Sequence, residues 1–195
     1  MPKIVDHAER RALIIDALFR VIVRDGVGGV SLRQVAAEAQ VTAGMVQHYF
    51  TSKDDLMAFA MTSASARYEQ RIGTSVAALG DSPSPGAVVR AVLANFISQS
   101  QDELHDGRIG LQFQAYAATR DDLSRSLQQG DAQLRTWLAD LIAKATEVDE
   151  ATASIRAVGL LATAEGLGLT VLSAGLTAPE ALAALDAQLS ANGIR

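Results

Sequence analysis

The chain contains no cysteine, so a disulfide framework, a thiolate metal site and a cysteine nucleophile are all excluded. Aromatic residues make up only 5% of its 195 positions, and proline occurs four times. Long apolar runs are missing as well. The charge-free stretch Gly166 to Pro179 covers 14 residues, short of the roughly 20 needed to cross a bilayer, so no membrane partner is expected. Met1 to Arg11 carries charges and no apolar h-region, which argues against a secretory signal and for a cytoplasmic chain. There is no Walker loop, HExxH, GxSxG or glycine-rich strand-to-helix start. Gly166-Leu167-Gly168 is a lone GxG, and His7, His48 and His105 lack metal-ligand spacing. No enzyme activity, cofactor or metal is expected.

What is present favours helices. Thirty-five residues are alanine and 49% are hydrophobic, a composition suited to helix packed on helix. No alternating β-branched run reads as a strand, and no internal repeat is apparent. The net charge of −5 is unevenly spread. Residues 1–71 hold nine Lys/Arg against eight Asp/Glu, whereas residues 72–195 hold eight against fourteen. The N-terminal part can therefore approach a polyanion that the rest repels.

An all-α fold of about nine helices follows. Asp6 with Glu9 reads as a cap, and Leu13, Ile14, Ala17, Leu18, Val21 and Ile22 then recur at the helical period up to Gly26. Ser31 with Gln34 opens a short helix, and Ala39-Gln40-Val41 makes a tight turn. Thr42 caps a second short helix, and Ser52 with Asp55 starts a long one reaching about Leu79. Asp81 to Gly86 is the clearest linker. Beyond it, helices are expected at about 85–101, 108–119, 121–146, 149–174 and 178–192, with His105 exposed in a polar Gln101–Gly107 loop.

Two short helices joined by a tight turn behind a longer one form a helix-turn-helix. On a helical wheel Val46 and Phe50 face the core, Gly44, Met45 and His48 point the opposite way, and Gln47 and Tyr49 flank them. Small residues at the start of that helix let its N-terminus approach a phosphate. Gln47 has the amide to bond adenine twice, or to contact backbone. The run Ser31-Leu32-Arg33-Gln34-Val35-Ala36, followed by Val41 to Leu56, resembles the DNA-binding signature of the TetR family of transcriptional regulators, over about residues 8–57.

The resemblance implies a helix-turn-helix DNA-binding domain at 1–52 and a helical effector-binding and dimerisation domain at 53–195. It implies a base or phosphate contact for Arg33. Thr42, Ala43, Gly44, Met45, Gln47 and His48 would form the reading face, and Tyr49 and Lys53 would hold phosphates. Gln40 stands where the family usually has glycine, and Gln47 where it commonly has tyrosine. The Gln47-His48-Tyr49 variant, with Leu160 to Leu169 and Leu176 to Ala181, is similar to the branch of choline/betaine-pathway repressors. Lys3, Arg10 and Arg11 read either as an arm reaching DNA or as a solvated charge run.

In the C-terminal part Phe96, Phe113, Tyr116 and Trp137 are candidates for an effector pocket, with Gln112 and Gln114 as polar handles; core packing would use the same residues. Glu165 sits in an apolar helix, where a buried carboxylate needs a partner. It is either a handle for a cationic or hydroxylated ligand or half of a salt bridge, with Arg156 or an arginine of another helix. Leu160, Leu161, Leu167, Leu169, Leu172, Leu182, Leu185 and Leu189 suit a four-helix dimer interface or internal packing. The expected protein is thus a homodimeric, ligand-responsive repressor whose partners are a palindromic double-stranded DNA operator and a small-molecule effector. A helical ligand-binding protein without DNA function is the alternative.

Overall fold

The computed structural model describes residues 3–195, the side chains of residues 3–6, 122 and 126 excepted. Among the described residues are nine α-helices and no strand: α1 (Lys3–Asp25), α2 (Leu32–Glu38), α3 (Ala43–Tyr49), α4 (Lys53–Ala77), α5 (Pro85–Ala94), α6 (Gln101–Ala117), α7 (Asp121–Thr146), α8 (Glu150–Ser173) and α9 (Ala178–Ala191). A 3-10 turn at Val27–Gly29 separates α1 from α2. The chain divides into two compact units. One comprises the residues up to Arg67 together with Arg108–Leu123, the other Tyr68–Gly107 with Ser124–Arg195. Helices α4 and α6 therefore each contribute residues to both.

In the first unit, Ile14, Ala17, Leu18, Val21 and Ile22 of α1 are buried, as their period requires. Val35 of α2, Val46 and Phe50 at α3, and Leu56, Met57 and Ala60 of α4 are buried as well. Gly26, at φ 70°, turns the chain out of α1. Ser31 caps α2 by accepting from the Gln34 N–H at 3.2 Å, and Thr42 caps α3 by accepting from the Met45 N–H at 3.2 Å. Between them the Val41 N–H donates to the Ala36 carbonyl and the Gln40 N–H to that of Ala37. This is a Schellman ending, and Gln40 holds its left-handed position at φ 56°.

The second unit is built from the interlocking small and branched residues of α5, α7, α8 and α9. Val89, Val92, Leu93, Leu138, Ile142, Ala157, Ala164, Ala181 and Leu185 are almost fully buried in it. Gly168 lets α8 run against the turn after α5, since a Cβ there would stand 2.1 Å from the Phe96 carbonyl oxygen. Thr177 and Glu180 form a reciprocal capping box at α9, and Arg90 grips Asp186 through two bonds of 2.7 and 2.9 Å. Helix α8 is long and apolar enough in composition to cross a bilayer, which the count of charge-free residues alone does not suggest. Its Ala153, Ala157, Leu160, Leu161, Ala164 and Gly168 face is nonetheless buried in the bundle.

Several boundaries differ from expectation. Helix α1 begins at Lys3 rather than at Asp6, whose side chain lies outside the described residues, as does that of Lys3. Helix α5 stops at Ala94, seven residues early, and α6 starts at Gln101 rather than 108. The start is fixed by Ser100, which accepts from the Glu103 N–H, while the Glu103 carboxylate accepts from the Gln99 N–H. The polar Gln101–Gly107 segment is therefore helical, and His105 is half-buried on it. Replacing Gln40 by glycine removes the left-handed penalty and should stabilise the first unit by about 1 kcal/mol. Urea unfolding would read this as a raised midpoint, and an unchanged midpoint would show that the glutamine bears no strain.

Candidate nucleic-acid interface and effector site

Helix α3 presents two faces. Val46 and Phe50 are 0% and 1% exposed, whereas Gly44, Gln47 and His48 are exposed on the opposite side. Ala43, Met45 and Tyr49 are half-buried at the margins, Thr42 is exposed at the cap, and Arg33 is exposed on α2. The outward candidates Gly44, Gln47 and His48 thus share one side of α3. The cap at Thr42 and the two buried anchors fix the helix rotation, so the exposed groups are held rather than tethered.

A residue that the motif did not point to joins them. His7, near the start of α1, stands 5.3 Å ring to ring from Tyr49 and 6.2 Å from His48, and His48 is 5.2 Å from Tyr49. No local signal marks His7, because the contact depends on how α1 crosses α3. Among the basic groups, Arg20 and Arg24 are drawn to Glu38 at 2.7 and 2.8 Å. Those bonds, Arg20's first, hold the Glu38 carboxyl below its usual range. Arg11 lies over the Phe59 ring at 5.3 Å. Lys53 is half-buried and its Nζ donates to the Val27 carbonyl at 3.0 Å. Lys53 therefore has a structural bond beside any phosphate contact.

Of the six candidate effector residues, Phe96, Trp137 and Glu165 belong to the second unit. Gln112, Phe113 and Tyr116 belong to the first unit. The Gln112 Oε1 accepts from the Val27 N–H at 3.3 Å, and Phe113 packs edge-on against Phe19 at 6.2 Å. The Tyr116 hydroxyl donates to Asp54 Oδ1 at 2.6 Å, with Arg120 stacked 3.6 Å above the ring. Burial, and then the bond to Asp54, push the Tyr116 phenol up to about 12. All three brace the helix-turn-helix unit, and Gln114 is exposed. These contacts lie in the second half of α6, which belongs to the first unit.

In the second unit Phe96 packs edge-on against Tyr68 at 5.3 Å, and Trp137 is 41% exposed. Glu165 lies on the exposed side of α8 rather than in the core. Partial desolvation, then Asp131, raise its carboxyl, and Arg135 opposes them. The arginine near it is Arg135, itself paired with Asp131, because Arg156 donates to the Asn192 carbonyl at 2.8 Å. The candidate interface leucines divide by burial. Leu160, Leu161, Leu185 and Leu189 are core residues, and Leu167, Leu172 and Leu182 are half-buried. The apolar side chains that α8 exposes are Ile155 at 75%, Val158 at 54% and Leu169 at 45%. Small exposed residues, Gly159, Ala162 and Gly166, fill the same face.

Comparison with known proteins agrees with these features. Residues 14–59 match the family model of bacterial regulatory proteins, tetR family, and residues 85–192 match that of the BetI-type transcriptional repressor, C-terminal. The chain is 32% identical over 173 residues to the HTH-type transcriptional regulator PksA of Bacillus subtilis, covering 87% of this chain and 82% of that one. It is 32% identical over 175 residues to the HTH-type transcriptional regulator BetI of Burkholderia thailandensis, covering 90% and 88%. A transcriptional regulator from Rhodococcus sp. Rha1 superposes with a TM-score of 0.81 at 27% identity, over 93% of this chain and 94% of that one. A regulator from Saccharomonospora viridis crystallised with choline has the same fold, with a TM-score of 0.76 at 18% identity over 94% and 96%.

The bond from Tyr116 to Asp54 generates a pH prediction. Its phenol is raised in the folded state, so its contribution is complete below about pH 10 and is lost as pH rises toward about 12. Tyr116→Phe should lower stability at pH 7 by about 1 kcal/mol and flatten that alkaline decline. Urea unfolding across pH 8 to about 12 checks both. An identical alkaline slope in the variant would exclude Tyr116 as its source.

Proposed function

The chain belongs to the TetR family of bacterial transcriptional regulators, and from that premise we propose that it is a homodimeric, cytoplasmic repressor released from a palindromic operator by a small-molecule effector. Its relatives are DNA-binding regulators rather than enzymes. Residues 1–52 would read DNA, and residues 53–195 would bind the effector and dimerise.

The register of α3 carries this reading. A short helix anchored by Val46 and Phe50 and capped by Thr42 offers Gly44, Gln47 and His48 outward, with Arg33 beside them. That arrangement suits a recognition helix in the major groove, with Gln47 as the side chain able to read a base edge. Arg33, Tyr49 and Lys53 would serve as phosphate contacts, and Ala43 and Met45 would complete the edge.

The exposed face of α8 supports the dimer. Ile155, Val158 and Leu169 recur at helical spacing beside glycines and alanine that permit close helix approach. A two-fold axis there would set two recognition helices about 34–36 Å apart, one turn of DNA. An effector in the second unit would favour a different separation, and α4 and α6, which belong to both units, would carry the shift. The effector is a small molecule, and the choline of the Saccharomonospora viridis regulator makes choline the first compound to try.

Fluorescence anisotropy with labelled DNA from the chain's own upstream region tests the reading. Tight binding that survives a scrambled competitor is expected, with affinity falling steeply as salt rises. Gln47→Ala should change sequence preference, whereas equal loss on specific and scrambled DNA would exclude it as a base reader. Ile155→Asp combined with Val158→Asp should give a monomer in sedimentation and weaken operator binding at least ten-fold. A variant that stays dimeric would remove α8 from the interface.

A further inference from the structure

Two buried polar atoms of the second unit have no hydrogen-bond partner among the described residues: the Tyr68 hydroxyl and Arg71 Nε. They lie three residues apart on α4, hence on one face, and Arg71 Cζ stands 5.2 Å from the Tyr68 ring centroid. Other elements converge on them. The Phe96 ring, in the turn after α5, meets Tyr68 edge-on at 5.3 Å. Asp106 of α6 accepts from Arg71 Nη1 at 3.2 Å and leaves Nε unused. Glu165 of α8 is close enough for its charge to act on the Tyr68 phenol.

A buried donor without an acceptor is destabilising, and two on adjacent turns of one helix mark a place that something else completes. Arg71 Nε can only donate. Burial and Glu165 raise the Tyr68 phenol, outweighing the opposing Arg71 charge, so Tyr68 too keeps its proton. The missing group is therefore an acceptor with room for two bonds, one of them from a cation. A carboxylate meets that description with its two oxygens. Asp106 and Glu165 lie close by, which disfavours a dianion such as a phosphate ester. The neighbouring rings suit an apolar or aromatic body.

We propose that Tyr68 and Arg71 bind the carboxylate of a small organic monoacid whose apolar body lies against Phe96. The proposal rests on the ligand-responsive reading above and names the chemistry of its effector. Choline fits this subsite poorly, because its single hydroxyl serves one donor and its cation would stand beside the Arg71 guanidinium. Arg71 keeps its bond to Asp106 while Nε turns to the ligand, so binding breaks no ion pair.

The test is thermal unfolding and calorimetry of the full chain with hexanoate, benzoate and phenylacetate, each against its primary alcohol, and with choline. At least one acid should raise the melting temperature where its alcohol does not. Tyr68→Phe and Arg71→Gln should each weaken that acid about ten-fold or more. The ligand-free Tyr68→Phe chain should melt at or above the wild type, since the unpaired hydroxyl is gone; a hydroxyl with a structural partner would give a lower value. Binding by no acid, equal binding by alcohols or choline, or unchanged acid affinity in Tyr68→Phe would each overturn the proposal. Operator anisotropy separates the two readings. An acid that binds without altering DNA affinity leaves the site standing and removes the effector role. A neutral or cationic compound that releases DNA from wild type and Tyr68→Phe alike does the reverse.

Discussion

The peptide unit of Val27 is the point on which the first unit depends. Its side chain is 7% exposed, its N–H donates to Gln112 Oε1 and its carbonyl accepts from Lys53 Nζ. A buried backbone pair of this kind has to be satisfied, and the three-residue turn itself supplies one partner, the Val30 N–H, which donates to the Val27 carbonyl at 3.2 Å. The remaining partners come from α4 and α6. The corner between α1 and α2 is consequently complete only when both helices are seated, and α2 and α3 are built directly on that corner. Gly26 gives the corner its positive φ and leaves space beside Gln112, whose Oε1 would lie 3.7 Å from an added Cβ. Tyr116 bonded to Asp54 repeats the design one turn further along α6. The corner that carries α2 and α3 is thus bonded to two helices that also contribute residues to the second unit.

The sequence was most legible where a backbone signal is local. Ser31, Thr42, Asp149 and Thr177 all cap the helices that their spacing predicts, and Gln40 takes the left-handed position that its place in the turn implies. The buried and exposed sides of α3 also follow from its period alone. Legibility failed wherever a side chain's role depends on which helix it meets. Ser100 and Glu103 did carry a start signal for α6, but the polar run after them reads equally as a loop. Once α6 begins seven residues early, Gln112, Phe113 and Tyr116 turn toward the first unit. A count of aromatics cannot foresee that change. His7, Tyr68 and Arg71 show the same limit, since Tyr49, Phe96 and Asp106, which they meet, lie far along the chain.

Helix α8 shows why leucine alone is a poor guide to an interface. Its average character is apolar on every side, so periodicity offers little contrast between faces. The division is made by size instead. Alanines and Gly168 lie where α5 and α9 press closest, and Leu160 and Leu161 fill what remains of the core. Branched Ile155 and Val158 and then Leu169 are left outside, with Gly159, Ala162 and Gly166 exposed between them. A large aliphatic stripe exposed on one helix is costly for a solitary chain, at about 25 cal/mol per Å² of apolar surface. Its exposure is therefore an argument for a partner surface of the same kind, which a second copy supplies by symmetry.

The exposed stripe of α8 and the unpaired donors of α4 have a common physical meaning. Each is an unfavourable feature of the single, ligand-free chain, one through hydration of apolar surface and the other through lost hydrogen bonds. The hydrogen-bond cost is about 1–3 kcal/mol for each buried group. Substitution by ordinary residues would remove both costs: a polar residue at Ile155, a phenylalanine at Tyr68. A stable fold does not require either feature, because the buried faces of α5, α7, α8 and α9 close the core without them. Their energetic sense lies in binding. The same chain that is incomplete at two places can gain free energy by association at both, and a site left unsatisfied in one state is what allows a ligand to favour another. The unpaired donors of the second unit would then be the condition for a response, while the bonds to the Val27 peptide unit hold the corner on which α2 and α3 are built.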